Sequence, residues 1–255
     1  MLGDEVMRRV FFEWRGIRVY SYPFMLYVGI VCGVIAGTYL AASHGMDPTR
    51  AYLAMLVLVL PAIAGSRLLF VISHWDLYSR QPYRIWRRSE GGAALYGGLI
   101  AALLLSLPLL TWMSIPIGAF WDAATVTILV GMIFTKIGCL LNGCCAGRAT
   151  ESRIGMRLPN VYGIWRRRVP SQILESAFAI LLLLASLFLW NRLPFPGAVF
   201  LICLASYATA RWVLESFRED VDKIAGFSLH RMISAGLAVL SLIFLILFWP
   251  KGSVI

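Results

Sequence analysis

The stretch Ala51-Tyr-Leu-Ala-Met-Leu-Val-Leu-Val-Leu-Pro-Ala-Ile-Ala-Gly-Ser-Arg-Leu-Leu-Phe-Val-Ile-Ser73 decides the fold class, because Arg67 is its only charged residue. A helix of this length crosses the roughly 30 Å hydrocarbon core of a bilayer. Lipid offers the backbone no hydrogen bonds, so an open chain crosses it as a helix. Working outward, six further apolar segments of similar length lie at 23–42, 91–113, 115–141, 171–190, 197–214 and 232–249. Trp75, Tyr78, Trp112, Trp165, Trp190 and Trp249 stand at segment ends, as interfacial belt residues do.

Composition points the same way. Of 255 residues, 60% are hydrophobic and 14% are charged, whereas roughly 25% are charged in a typical soluble domain. A soluble globule would have to expose large apolar patches. Disordered, collagen-like and small disulfide-scaffold classes are excluded on composition. The expectation is an all-α integral membrane protein with about seven transmembrane helices around a central, lipid-accessible cavity. Residues 1–255 form one transmembrane domain that opens with an amphipathic segment at 1–21. No internal repeat is visible. The five cysteines, Cys32, Cys139, Cys144, Cys145 and Cys203, are an odd number in apolar context, which is not a disulfide framework. The run 23–42 is too long for the apolar region of a cleavable signal peptide.

The net charge is +10. The basic residues lie between apolar segments, beside a bilayer, so anionic lipid headgroups are the expected partner and nucleic acid is not. Lys136, Lys223 and Lys251 are the only lysines. Arginine's planar fork suits bidentate phosphate contact. One face of the membrane carries the N-terminus and the loops after the second, fourth and sixth spans. It holds 16 Lys and Arg, against Arg50, Arg192 and Lys251 on the other face. The positive-inside rule places the first face in the cytoplasm. A phospholipid-binding surface is a rival cause of the same bias.

Ionisable side chains inside spans are costly, and they mark either function or structural ion pairs. Here they are Arg67, Asp122, Lys136, Glu175 and Arg211. Glu215 and Arg218 follow Arg211 at i+4 and i+7, which continues one helix face. The run Lys136-Ile-Gly-Cys-Leu-Leu-Asn-Gly-Cys-Cys-Ala-Gly-Arg148 ends the fourth span. Its three glycines permit a broken helix whose amides face an anion, with Lys136 and Arg148 supplying charge at either end. Cys139, Cys144 and Cys145 lack the two separated ligand pairs of a zinc site and have no His nearby, so no metal is expected. They read as small core residues. Glu90-Gly-Gly-Ala-Ala-Leu-Tyr-Gly-Gly-Leu99 opens the third span with paired glycines for tight helix contact. Tyr96 within it faces a neighbouring backbone or a ligand. Pro170-Ser-Gln-Ile-Leu-Glu175 places Gln172 and Glu175 on one face of the fifth span.

In their order these stretches resemble the bacterial prolipoprotein diacylglyceryl transferases, over nearly the whole chain. Tyr22-Pro-Phe-Met-Leu-Tyr-Val-Gly29 resembles the family's first-span Tyr-Gly motif, and Gly65-Ser-Arg67 its Gly-x-Arg. The Glu90–Leu99 stretch is similar to Gly-Gly-x-x-x-His-Gly-Gly. Gly138-Cys-Leu-Leu-Asn-Gly-Cys-Cys-Ala-Gly147 is similar to the signature around Gly-x-Phe-x-Asn-Gly. Pro170–Glu175 resembles Pro-Ser-Gln-Leu-Tyr-Glu, and Arg211-x-x-x-Glu215-x-x-Arg218 the Arg-x-x-x-Glu-x-x-Arg run. The resemblance implies a multi-pass enzyme of the bacterial cytoplasmic membrane. Such an enzyme moves a diacylglyceryl group from phosphatidylglycerol, or a related anionic phospholipid, to a lipobox cysteine or another nucleophile. No cofactor or metal is implied. Tyr96, Arg218 and Lys136 take the catalytic positions. Tyr22, Arg67, Asn142, Gly143, Gly147, Arg148, Gln172 and Arg211 take the substrate positions. Glu175 and Glu215 support the cations.

The chain departs from the pattern in places. Tyr96 stands where the family has His, Lys136 where it usually has Arg, and Cys139 and Cys144 where Asn and an acidic residue are common. The resemblance implies an N-terminus outside the cytoplasm, opposite to the loop charge. Arg8, Arg9, Arg84, Arg87, Arg88 and the run Arg166-Arg167-Arg168 belong to no motif and read as surface charges. The charge therefore favours an inverted topology, with a cytoplasmic-leaflet site and a cytoplasmic, non-protein acceptor as the alternative to a lipobox thiol. A non-catalytic phospholipid-binding protein is the other reading. A transporter is disfavoured by the lack of inverted repeats.

Overall fold

The computed structural model describes residues 8–86, 95–160, 163–218, 223–224 and 227–249. Seven helices in it are long and apolar enough to cross a membrane. They are α1 (Ser21–Ser43), α2 (Pro48–Ser73), α4 (Leu95–Trp112), α5 (Ile117–Asn142), α6 (Ser171–Leu189), α7 (Ala198–Leu214) and α8 (Leu229–Phe248), with a short α3 (Trp75–Arg80) after α2. The chain is an all-α integral membrane protein by this architecture. Glu90, Gly91, Gly92, Arg87, Arg88 and Lys251 lie outside the described residues.

Three antiparallel hairpins decorate the helices: β1 (Val10–Trp14) with β2 (Ile17–Tyr20), β3 (Met156–Pro159) with β4 (Trp165–Arg168), and β5 (Lys223–Ile224) with β6 (Phe227–Ser228). The described part of the amphipathic N-terminal segment is thus a hairpin. Its turn uses Arg15 and Gly16, both at positive φ (48° and 79°), the backbone sign that two-residue hairpin turns need. The Ser21 amide donates to the Arg9 carbonyl at 2.9 Å, which ties the hairpin to the start of α1.

Helices pair as α1 on α5, α2 on α4, α5 on α6 and α7 on α8. Lipid tails are as apolar as leucine, so close packing must come from small residues. A Cβ on Gly33 would lie 2.6 Å from the Thr127 carbonyl oxygen, and one on Gly98 2.7 Å from that of Ala62. Gly65 and Gly97 face each other just as closely. The Thr127 hydroxyl also donates to the Gly33 carbonyl at 2.9 Å. The described glycines of the third span therefore act as a helix contact.

Two residues sit differently from the sequence expectation. Asp122, a charge inside a span, is a structural cap. Its carboxylate accepts the Gly197 amide at 2.6 Å and the Phe200 amide at 2.9 Å, which satisfies donors left open at the start of α7. Tyr78 is buried rather than interfacial, because Arg67 and Phe70 pack on its ring. Trp112 and Trp75 do lie exposed at helix ends.

Candidate active site

The site forms where the C-terminal end of α5 meets the first turn of α6. Helix α5 stops at Gly143, which takes the left-handed conformation (φ 71°) that closes helix ends at low steric cost. The Gly143 amide returns to the Leu140 carbonyl and that of Cys144 to Cys139. The chain then runs out between two strands. The Gly147 amide donates to the Val169 carbonyl at 2.8 Å and the Arg148 amide to the Phe217 carbonyl at 2.7 Å. Gly147 also bridges to Arg218, and Ala149 to Arg168. A Cβ on Gly147 would lie 2.6 Å from the Phe217 carbonyl oxygen, so only glycine fits. This corrects one expectation: the amides of Gly143, Cys144, Gly147 and Arg148 are committed to backbone carbonyls and do not face an anion. From α6, the Gln172 amide group donates to the Cys144 carbonyl at 2.6 Å and holds the loop in place.

Beneath the loop lies a buried ion network. Lys136 Nζ is 2.6 Å from Glu175 Oε2, and Glu175 Oε1 is 4.0 Å from Arg211 Nη1. Arg211 Nη2 is 3.0 Å from Glu215 Oε2. Glu215 Oε1 in turn meets His230 at 4.0 Å and accepts from the Ser228 hydroxyl at 3.5 Å. Side chains from α5, α6, α7 and α8 are thereby joined. Two lysine and arginine cations face two carboxylates, and the low dielectric strengthens each pairing while penalising any unpaired member.

Arg218 reaches the rim of this network by a route the sequence did not indicate. Helix α7 ends at Leu214, and a single 3-10 turn follows at Glu215–Phe217. Arg218 is already extended (φ −81°, ψ 147°). The i+7 spacing therefore does not hold it on the helix face, whereas Arg211 and Glu215 do pair at i+4. Its charge acts on Glu175 and on Cys145.

Tyr96 is 1% exposed. Its hydroxyl lies 2.6 Å from Ser234 Oγ, whose own hydrogen is given to the His230 carbonyl at 2.7 Å. Tyr96 is thus the donor in the first bond. Its ring stands 6.2 Å from that of His230 and packs in one apolar cluster with Tyr207. The Tyr207 hydroxyl, Ser171 Oγ and Gln172 Oε1 are buried without a hydrogen bond. Unsatisfied buried polar atoms are uncommon in folded proteins.

The other expected site residues are spread around this centre. Tyr22, in the first turn of α1, packs on α5, where a Cβ on Gly138 would lie 3.3 Å from its Cα. Asn142 is the last residue of α5, beside Cys144. Arg148 is exposed and lies over the Phe217 ring at 5.5 Å. Arg67 braces the corner after α2: its guanidinium donates to the Ile85 and Arg84 carbonyls at 3.2 and 3.3 Å and lies over Phe70 and Tyr78.

Arg168 is a correction. It reads as a surface charge in sequence, yet it is 1% exposed and reaches the Gly147 carbonyl. Arg166 and Arg167 of the same run are exposed. Tyr207, His230 and Ser234 are further polar residues that the sequence reading passes over. The signal for them is spacing: Tyr207 precedes Arg211 by four, and His230 precedes Ser234 by four, each pair sharing a helix face. At the end of α5 the Cys145 thiol donates to Cys144 Sγ at 3.7 Å, and the Cys144 thiol donates to the Cys139 carbonyl at 3.7 Å.

Known proteins are similar to this chain over most of its length. A family model described as prolipoprotein diacylglyceryl transferase matches residues 9–247. The chain is 29% identical over 219 residues to phosphatidylglycerol–prolipoprotein diacylglyceryl transferase 2 of Clostridium perfringens, with 84% of each chain covered. It is 28% identical over 232 residues to the phosphatidylglycerol–prolipoprotein diacylglyceryl transferase of Dehalococcoides mccartyi, covering 88% of this chain and 87% of the relative. The enzyme of the same name from Bacillus cereus is 28% identical over 248 residues, with 90% of each chain covered. With the match running through all seven spans and both halves of the ion network, this chain belongs to the prolipoprotein diacylglyceryl transferase family.

Proposed function

We propose that this multi-pass membrane protein transfers a diacylglyceryl group from phosphatidylglycerol to a nucleophilic acceptor, the lipobox cysteine thiol of a prolipoprotein, in a bacterial cytoplasmic membrane. The observation that carries the reading is the buried Lys136–Glu175–Arg211–Glu215 network with Arg218 at its rim. It presents cations in a water-poor setting, where a phosphate is bound and its developing charge stabilised. In the reaction the acceptor sulfur bonds to the glyceryl carbon, the carbon–oxygen bond to phosphate breaks, and glycerol phosphate leaves. The thiol proton passes to a base or to the leaving phosphate. Arg218, Lys136 and Arg211 hold the phosphate, and Asn142 adds a neutral donor. Glu175 and Glu215 keep the cations in place. Tyr22, Arg67, Arg148 and Gln172 flank the donor or brace the elements that hold it.

The test is incubation of the purified protein with headgroup-labelled phosphatidylglycerol and a lipobox peptide. Labelled glycerol phosphate and a peptide heavier by one diacylglyceryl group are expected. Tight copurifying phosphatidylglycerol with neither product would favour the non-catalytic lipid-binding reading.

Tyr96 orients the reacting groups or relays a proton, its hydroxyl held in place by Ser234. Loss of a general acid–base group costs about 10²–10⁴-fold in rate. Tyr96→Phe is accordingly expected to lower kcat by about 10²-fold with KM for the donor little changed. A Phe variant at full rate would assign proton transfer to another group.

The loop charge, 16 Lys and Arg against three, favours a second reading with the site open to the cytoplasmic leaflet and an acceptor on that side. Arg166 and Arg192 are both exposed and lie on opposite faces of the bundle. With the native cysteines replaced, a membrane-impermeant thiol reagent applied to intact cells is expected to label Arg192→Cys and spare Arg166→Cys. The reverse pattern would restore the orientation that the family resemblance implies.

A further inference from the structure

The sequence sets a metal aside because Cys139, Cys144 and Cys145 are not two separated pairs. The fold removes that objection. The left-handed turn at Gly143 folds residues 144 and 145 back over the last turns of α5. All three Sγ atoms lie within 4.8 Å of one another, and those of Cys144 and Cys145 are 3.7 Å apart. Three sulfurs around one cation with metal–sulfur bonds of about 2.3 Å stand roughly 3.7–4.0 Å from each other. One pair already has this spacing, and rotation about side-chain torsions closes the rest. We infer that Cys139, Cys144 and Cys145 form a three-thiolate site for a soft, thiophilic cation, Cu(I) or Zn(II), at the end of α5.

The surroundings fit such a site. No His or carboxylate shares the group, so its ligands are all soft sulfur, which selects Cu(I) and Zn(II) over hard cations. Three thiolates with one cation leave net negative charge, which is offset by Lys136, three residues before Cys139 on the same face of α5, and by Arg218, whose backbone bridges to Gly147 of the loop. The frame is already fixed: the Cys144 amide bonds to the Cys139 carbonyl, and Gln172 holds the Cys144 carbonyl. All five cysteines are free thiols. A bound cation pins the turn at 143–145 to α5 and so locks the loop that carries Gly147 and Arg148.

The test uses the full-length protein in detergent, reduced with a phosphine under anaerobic conditions. It is titrated with Cu(I) and, separately, with Zn(II), each against a competing chromophoric chelator. One equivalent of at least one of the two metals is expected, with an X-ray absorption spectrum showing sulfur ligands at about 2.3 Å. Cys144→Ser and Cys145→Ser, checked for unchanged elution and helix content, are expected to weaken binding by 100-fold or more. The double variant Cys32→Ser/Cys203→Ser, which alters only thiols outside the group, is expected to keep the full equivalent. Because a serine variant can fail to fold, reversible methylthiolation of the folded wild type supplies a second arm. It should abolish binding, and reduction should restore it. Three outcomes would overturn the site: no stoichiometric binding of either metal, binding that survives both serine substitutions, or a disulfide within the trio in anaerobically prepared protein. The readout is metal content, so it stands or falls separately from the transferase assay.

Discussion

Glu175→Ala is expected to destabilise the protein more than any other single substitution in the site. Glu175 is 2% exposed and, among the described residues, is the only carboxylate that touches both Lys136 and Arg211. With it present, two cations and two carboxylates balance. Without it, Lys136 has no described anionic partner, and Arg211 and Glu215 balance only each other. Removing one member of a buried pair costs roughly 3–5 kcal/mol, because the remaining charge stays desolvated. A shift of that size should appear in an SDS unfolding titration of detergent-solubilised protein. Charge balance also predicts a rescue. In Lys136→Met/Glu175→Met, charge leaves in a balanced pair and the Arg211–Glu215 pair remains. The double variant should be markedly more stable than Glu175→Ala, although inactive. Equal destabilisation of the two would show that Glu175 acts through packing rather than charge.

Arg218→Ala should act on turnover and leave the fold standing. What the structure takes from Arg218 is mostly backbone: its bridge to Gly147, and its amide bond to the Glu215 carbonyl at 3.3 Å. Alanine keeps both. What it removes is a guanidinium at the rim of the ion network, the group that we propose forks onto a phosphate. Loss of one such charge-stabilising donor costs about 10²–10³-fold, and a drop of this order in kcat/KM is expected. Arg192→Ala is the control. Arg192 is exposed beyond the far end of α6 and lies over the Phe188 ring at 3.9 Å. Its removal should change activity less than twofold. Comparable losses in the two variants would count against Arg218 as a phosphate ligand.

What was legible in the sequence follows from which forces act over short range. Seven spans could be read because bilayer thickness and backbone hydrogen bonding set their length without reference to the rest of the chain. The Arg211–Glu215 pair could be read because helical periodicity alone places it. Arg218 could not, since periodicity ends with the helix at Leu214, and nothing local announces the 3-10 turn that follows. Asp122 read as either a functional charge or a member of an ion pair because charge in a span is costly. The structure compensates that cost with two amides from residues 75 and 78 positions away. Arg168 looked like the third member of a surface run, and only the pairing of the signature loop with β4 buries it. The amides of that loop were expected to be open to a ligand. Those of Gly143 and Cys144 close on α5, and those of Gly147 and Arg148 on carbonyls that the distant residues Val169 and Phe217 bring up. Apart from that local closure on α5, the missing information is in each case a long-range contact.

The loose seating of α8 bears on how the protein is made. In its most apolar stretch 11% is buried, the least of the seven spans. Yet α8 brings Ser234 to the Tyr96 hydroxyl, Ser228 and His230 to Glu215, and Arg231 to Ser216. It is also the last of the seven to leave the ribosome. A nascent chain that has inserted its first six spans holds the Lys136–Glu175–Arg211–Glu215 quartet but not the partner of Tyr96. Formation of the Tyr96–Ser234 and Glu215–His230 contacts is therefore coupled to the insertion of α8. Until α8 docks, a half-built molecule sits in the bilayer with Tyr96 and Glu215 short of partners, open to surveillance by membrane proteases and unready to act on lipid.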